Sequence, residues 1–205
     1  MKIFGIIIIV VSVIVNILIG LFILGMSWNQ ANPSTGTNSA SGSKVTISDE
    51  TIPYINNTHK FQFNYPKDWP ITTTIANREN DPTLIDSFNS LNESDKFLEG
   101  FTIYSNKSVF SQLEMVDYMR NNLVANGYKI LSEKPGEIAG RKWHRFDTTS
   151  TIKPEDGTAP YDIRGYVYSA EGNDEYITVE YYDQISTFEN TKGAFIKTME
   201  SFKFI

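Results

Sequence analysis

The two histidines, His59 and His144, stand 85 positions apart in a 205-residue chain that contains no cysteine. Neither has the closely spaced His or Cys partners that zinc sites use, so no metal or other cofactor is expected. His144 lies in a local basic run, Arg141, Lys142, Trp143, His144 and Arg145. On a strand, Arg141, Trp143 and Arg145 would share one face, while Lys142, His144 and Phe146 would share the other. Two readings follow for this run: a patch that binds an anion or a partner with an aromatic contact, or a solvated strand with Trp143 or Phe146 in the core. Glu171, Asp174 and Glu175 crowd one turn and Glu155-Asp156-Gly157 another. Neither carries the twelve-residue loop of alternating ligands that calcium sites use, so both read as solvated turns. No Gly-x-Ser-x-Gly elbow, cysteine nucleophile or phosphate-cradling glycine loop is present. The enzyme chemistry left open is a carboxylate pair, whose separation only the tertiary fold sets.

The elements that must position these residues can be read from periodicity. Phe61, Phe63 and Tyr65 alternate with Gln62 and Asn64, which predicts a half-buried strand ended by Pro66. After Asp81-Pro82 the spacing of Leu84, Ile85 and Phe88 suggests a short helix, and Phe101 with Ile103 a strand. Ser111 and Glu114 form a capping-box pattern ahead of Leu113, Val116, Met119, Leu123 and Val124, with Gly127 as the stop, so a helix is expected there. Tyr128 to Glu133 and Arg141 to Thr149 then read as strands, with turns at Pro135-Gly136 and Ala139-Gly140. Ile163 to Ser169 and Tyr176 to Tyr182 read as a hairpin around Glu171 to Asp174. A last amphipathic helix, about 187–201, turns Phe188, Phe195, Ile196, Met199 and Phe202 toward the sheet. The expected fold class is α+β, helices packed on an antiparallel sheet.

The N-terminal segment has a different character. Residues 3–26 carry no ionisable side chain, and 18 of these 24 residues are Ile, Leu, Val or Phe. About 20 helical residues cross a hydrocarbon core, and these side chains sum to about −5 to −11 kcal/mol on an insertion scale. Asn16 cannot offset that. Residues 1–26 are therefore expected to be a single-pass transmembrane anchor, uncleaved because no small-x-small site follows Gly25. Lys2 precedes the span and the next basic residue is Lys44, so the N-terminus is expected in the cytoplasm and the remainder outside the cell membrane. Ser12, Asn16 and Gly20 recur on one helix face, which suits either a helix–helix contact or scattered tolerated residues. Residues 27–48, rich in Ser, Thr, Asn, Gly and Pro, read as a flexible linker.

Residues 49–205 form the expected folded domain, with sixteen Lys and Arg against twenty-four Asp and Glu, a formal charge of −8. That balance argues against nucleic acid as a partner, since a basic face is needed there. Without cysteine, packing alone must hold an exported domain together. Asn56, Asn92 and Asn106 each begin an Asn-x-Ser/Thr acceptor pattern for glycosylation.

Phe61-Gln-Phe-Asn-Tyr-Pro-Lys-Asp-Trp69 resembles the opening strand of PsbP-like domains, and the order of elements agrees. The likeness runs over about residues 60–204, with Gly140-x-x-Trp143 and the closing Ser201-Phe-Lys-Phe204 as weaker echoes. The chain is similar to membrane-anchored PsbP-related proteins of archaea more than to the photosynthetic members. The resemblance implies a binding or accessory module rather than an enzyme, engaging another membrane or cell-surface protein. The alternative expectation is an exported hydrolase or carbohydrate-active enzyme built on a carboxylate pair.

Overall fold

A computed structural model describes residues 47–90, 100–107, 111–154 and 157–205. Its strands are β1 (Thr51–Asn56), β2 (Phe61–Pro66), β3 (Leu84–Asn89), β4 (Gly100–Asn106), β5 (Lys129–Ile138), β6 (Arg141–Ile152), β7 (Tyr161–Glu171), β8 (Tyr176–Gln184) and β9 (Lys203–Phe204). Its helices are α1 (Ile75–Asn80), α2 (Gln112–Ala125) and α3 (Ile185–Glu200). Six strands form one antiparallel sheet in the order β3-β4-β8-β7-β6-β5, and β1-β2-β9 form a second. Residues 74–82, which hold α1, belong to a different compact unit from the other described residues, and Thr74 caps the helix N-terminus in a reciprocal box with Asn77.

Each face of the six-stranded sheet is covered by its own apolar cluster. On one face Phe88, Phe101, Trp143, Tyr166, Tyr168, Val179 and Tyr181 meet β2 residues Phe61 and Phe63, and Phe188, Phe195 and Met199 of α3. Ring pairs knit this layer: Tyr181 stacks on Phe195 at 4.6 Å, and Phe61 on Phe202 at 5.0 Å. Trp69 is fully buried in it, 5.9 Å from Phe101 and 6.1 Å from Tyr181. On the opposite face α2 lays Met115, Val116, Met119 and Leu123 over Phe146, Val167 and Tyr176.

The capping box at α2 is present, Ser111 accepting from the Glu114 amide and the Glu114 carboxylate accepting from the Ser111 amide. Its end is a Schellman turn, with Tyr128 N–H donating to Leu123 O and Gly127 N–H to Val124 O, and Gly127 left-handed at φ +80°. The buried face differs from expectation, because Met115 is inside while Leu113 and Val124 are 72% and 60% exposed. At about 100° per residue those two lie roughly 120° and 140° around the helix from Met119.

Two further expectations are corrected. Leu84 to Asn89 is a strand, not a helix. A bulge between Leu84 and Asp86 breaks the period of two, so Ile85 and Phe88, three apart, both enter the same cluster with a spacing that imitates a helix. Pro135-Gly136 is no turn but runs inside β5, opposite His144 and Trp143, and the chain reverses only at Ala139-Gly140. Proline is tolerated because β5 is the sheet's last strand and needs no amide donor outward. Strands β1 and β9 have no counterpart among the expected elements. Among the described residues no helix is long and apolar enough to cross a membrane. The span expected within 1–26 and most of the 27–48 linker lie outside those residues; Ile47, at the linker's end, packs against the core.

Candidate functional site

The sheet divides the basic run 141–145 in two. Trp143 is 2% exposed and packs edge-on against Phe202 at 5.2 Å, and Phe146 is fully buried beneath α2. Both large rings are thus core residues, one on each face. Arg141 and Arg145 flank Trp143 on the α3 side, where Arg145 lies 5.0 Å over the Tyr166 ring and donates to Tyr168 Oη at 3.4 Å. Arg141 lies 4.9 Å over Phe204. Cross-strand pairing sets exposed Lys134 of β5 directly opposite Arg145. Neighbouring Arg164 lies 4.9 Å over Phe188 and is neutralised by a two-pronged contact with Asp147, Nε to Oδ1 3.1 Å and Nη2 to Oδ2 2.8 Å. Arg141, Arg145 and Lys134 therefore form a cationic strip whose guanidinium groups rest on aromatic rings, a geometry that keeps arginine extended and charged at a surface.

Lys142 and His144 occupy the other face. His144 Nε2 lies 3.3 Å from Glu133 Oε2, and Glu133 also receives Arg120 of α2 through two bonds of 2.8 Å. The Arg120 hydrogen bonds hold the Glu133 carboxyl below its usual range. This group ties α2 to β5 and leaves His144 a structural partner.

A second polar group assembles at the end of the sheet where three turns meet. His59, from the β1–β2 turn, sets Nδ1 2.9 and 3.0 Å from the two carboxylate oxygens of Glu175, which follows the β7–β8 turn. Ser105 Oγ of β4 also donates to Glu175. Glu175 is 7% exposed, so the carboxylate is satisfied by these donors in a site that water hardly reaches. Beside it opens a cavity of about 250 Å³ lined by Thr58, His59, Lys107, Asn173, Asp174 and Glu175. Arg141 Nη2 donates to Asn173 Oδ1 at 3.2 Å, so the cationic strip runs up to the cavity's rim. The positive-φ non-glycine residues among those described, Lys60 (57°), Ala139 (51°) and Asp174 (66°), lie in the three turns at this end. Such conformations cost free energy and cluster where function fixes them. A carboxylate-held imidazole beside a cavity can hold or pass a proton. Ser105 is bonded to the carboxylate and not to the imidazole, so it is not placed as a nucleophile.

Asn56 builds the β1–β2 turn: its Oδ1 accepts from the amides of Thr58 and His59, and its Nδ2 donates to Tyr54 Oη at 3.0 Å. Asn106 is half-buried at the end of β4, opposite Tyr176, and Asn92 lies outside the described residues. Among the described residues no three His, Asp or Glu side chains converge as a metal would need. The sequence reading treated His59 and Glu175 separately. They are 116 positions apart, and the only signal joining them is that each sits in a turn of the same end of the meander.

No family model and no curated protein matches the chain. Solved structures do. The solution structure of cyanobacterial PsbP (CyanoP) from Synechocystis sp. PCC 6803 is similar with a TM-score of 0.57 at 13% identity, over 82% of this chain and 98% of that one. A protein of unknown function from Pseudomonas aeruginosa, PA94, is similar with a TM-score of 0.50 at 12% identity, over 74% and 94%. At such identities the likeness shows the fold, and the fold is PsbP-like.

Proposed function

We propose that the chain is a membrane-anchored binding module: residues 3–26 hold it in the cell membrane, and the PsbP-like domain, outside, docks an acidic face of another membrane or cell-surface protein. The observation that carries this reading is the strip of Arg141, Arg145 and Lys134, cationic and ring-supported in a domain whose formal charge is −8. Complementary charge steers partners and sets orientation, and arginine stacked on aromatic rings loses little freedom on docking. The PsbP-like fold, and the resemblance of Phe61–Trp69 to the opening strand of PsbP-like domains, support a binding module.

Crosslinking in native membranes followed by mass spectrometry tests it. A specific crosslinked partner is expected, lost when Arg145 and Lys134 are both replaced by alanine and weakened by raised salt. Recovery of the chain as free monomer alone would refute the docking role. Protease added to intact cells tests the topology, which fails if the domain survives until lysis.

A further inference from the structure

The cavity beside Glu175 is lined by side chains of both charges. Among the described residues, neither the Lys107 ammonium nor the Asp174 carboxylate forms an ion pair or hydrogen bond, yet both line one space of about 250 Å³. Opposite charges that face one solvent-open space without meeting each other match a ligand that carries both signs. Asn173 Oδ1 is taken by Arg141, which turns its Nδ2 donor to the remaining space. His59 Nδ1 faces the Glu175 carboxylate, which accepts, so Nδ1 carries a hydrogen and Nε2 is the ring nitrogen left free of that contact. Two donors, Lys107 Nζ and Asn173 Nδ2, thus stand with one charged acceptor, the Asp174 carboxylate.

We infer that this cavity binds a small zwitterion of the α-amino acid class. The ligand's carboxylate meets Lys107 and Asn173, and its ammonium meets Asp174. Thr58 adds a hydroxyl that serves either end, and a space of about 250 Å³ suits a small side chain. Glu175 acts at one remove, as a positioning residue: buried and held by Ser105, it fixes the tautomer and orientation of His59. The left-handed Asp174 and its turn fit this role, since they commit backbone conformation to placing one carboxylate.

Isothermal titration calorimetry on the full chain in detergent micelles, with glycine and L-serine as probes, tests the assignment. Saturable heat is expected with both, and acetate and methylamine, each carrying one of the two charges, bind at least about tenfold more weakly because a charge-assisted bond is lost. Asp174→Asn is the decisive variant, because asparagine accepts a left-handed backbone while it removes the charge. It and Lys107→Ala are each expected to weaken glycine binding at least about tenfold. Lys107 is exposed, so its removal leaves the fold intact, which near-ultraviolet circular dichroism verifies. Lys134→Ala, on the docking strip, is expected to leave glycine binding unchanged, which separates this site from the partner face. The inference is overturned if glycine gives no saturable heat, if acetate or methylamine binds as well as glycine, or if Asp174→Asn leaves binding as it was.

Discussion

Gly165 and Gly193 invite one substitution with opposite results. Gly165 sits in β7 opposite Tyr182, and a Cβ built there would lie 2.2 Å from Tyr182 Cδ1 and 2.4 Å from Tyr181 O. Ordinary contact is about 3.5–4.0 Å, so more than about 1 Å of movement is required. The tyrosine ring could turn, but the Tyr181 carbonyl belongs to the β8 ladder and cannot. Overpacking of this kind costs about 1–3 kcal/mol, offset by the roughly 0.5–1 kcal/mol that alanine gains over glycine in the unfolded chain. Gly165→Ala should therefore lose on the order of 1 kcal/mol, a fall in Tm of about 2–4 °C for a domain of this size. Gly193 lies in the exposed face of α3, where an added Cβ meets nothing within 4 Å. Gly193→Ala should gain about 0.5–1 kcal/mol from helix propensity alone. Thermal unfolding followed by near-ultraviolet circular dichroism reads both. The reasoning about backbone approach is refuted if Gly165→Ala unfolds at the parent temperature, or if the two variants shift in the same direction.

Other perturbations test other layers of the fold. Trp69→Ala removes a fully buried ring between Phe101 and Tyr181, and urea unfolding should register a loss of about 3–5 kcal/mol. Ser111→Ala deletes the α2 cap, and the same assay should show about 1 kcal/mol. Burial first, and then the Glu180 charge, pushes Tyr128 up to about 12 and Tyr182 well above its ordinary value. Their neutral forms favour the folded state, so this contribution is whole below pH 10 and is lost as pH rises from about 10 toward 12. A drop on the order of 2 kcal/mol over that window is expected in unfolding titrations, and Tyr128→Phe should reduce it, leaving the part due to Tyr182.

What the sequence made legible was whatever local periodicity encodes. The Phe61–Pro66 strand, the capped α2, the β7–β8 hairpin and the amphipathic α3 all appear where alternation or 3.6-residue spacing places them. The misreadings arise where a tertiary feature overrides a local one. The bulge at Leu84–Asp86 turned a strand's spacing into a helix's, and an edge position let Pro135-Gly136 stay within a strand. Neither edge position nor bulge is visible until the strand order is known. Strand β9 is two residues long and is defined by its pairing with β2, so no pattern in the chain announces it.

The site shows the same limit more sharply. A basic run of five residues reads as one patch, yet a strand can present only alternate residues to one side. Pairing with β5 then replaces the run's missing half with Lys134, seven residues before it begins. The strip is therefore a property of two strands, with its charge supported by rings from two others, Tyr166 and Tyr168 of β7 and Phe204 of β9. The cavity goes one step further, since Thr58, Lys107 and Asn173 come from three different segments. Turns are where a meander returns to one end of its sheet, so residues far apart in sequence collect there without any spacing rule. That is why His59 and Glu175, each unremarkable in its own turn, become a half-buried pair only through the strand order that sets their turns side by side.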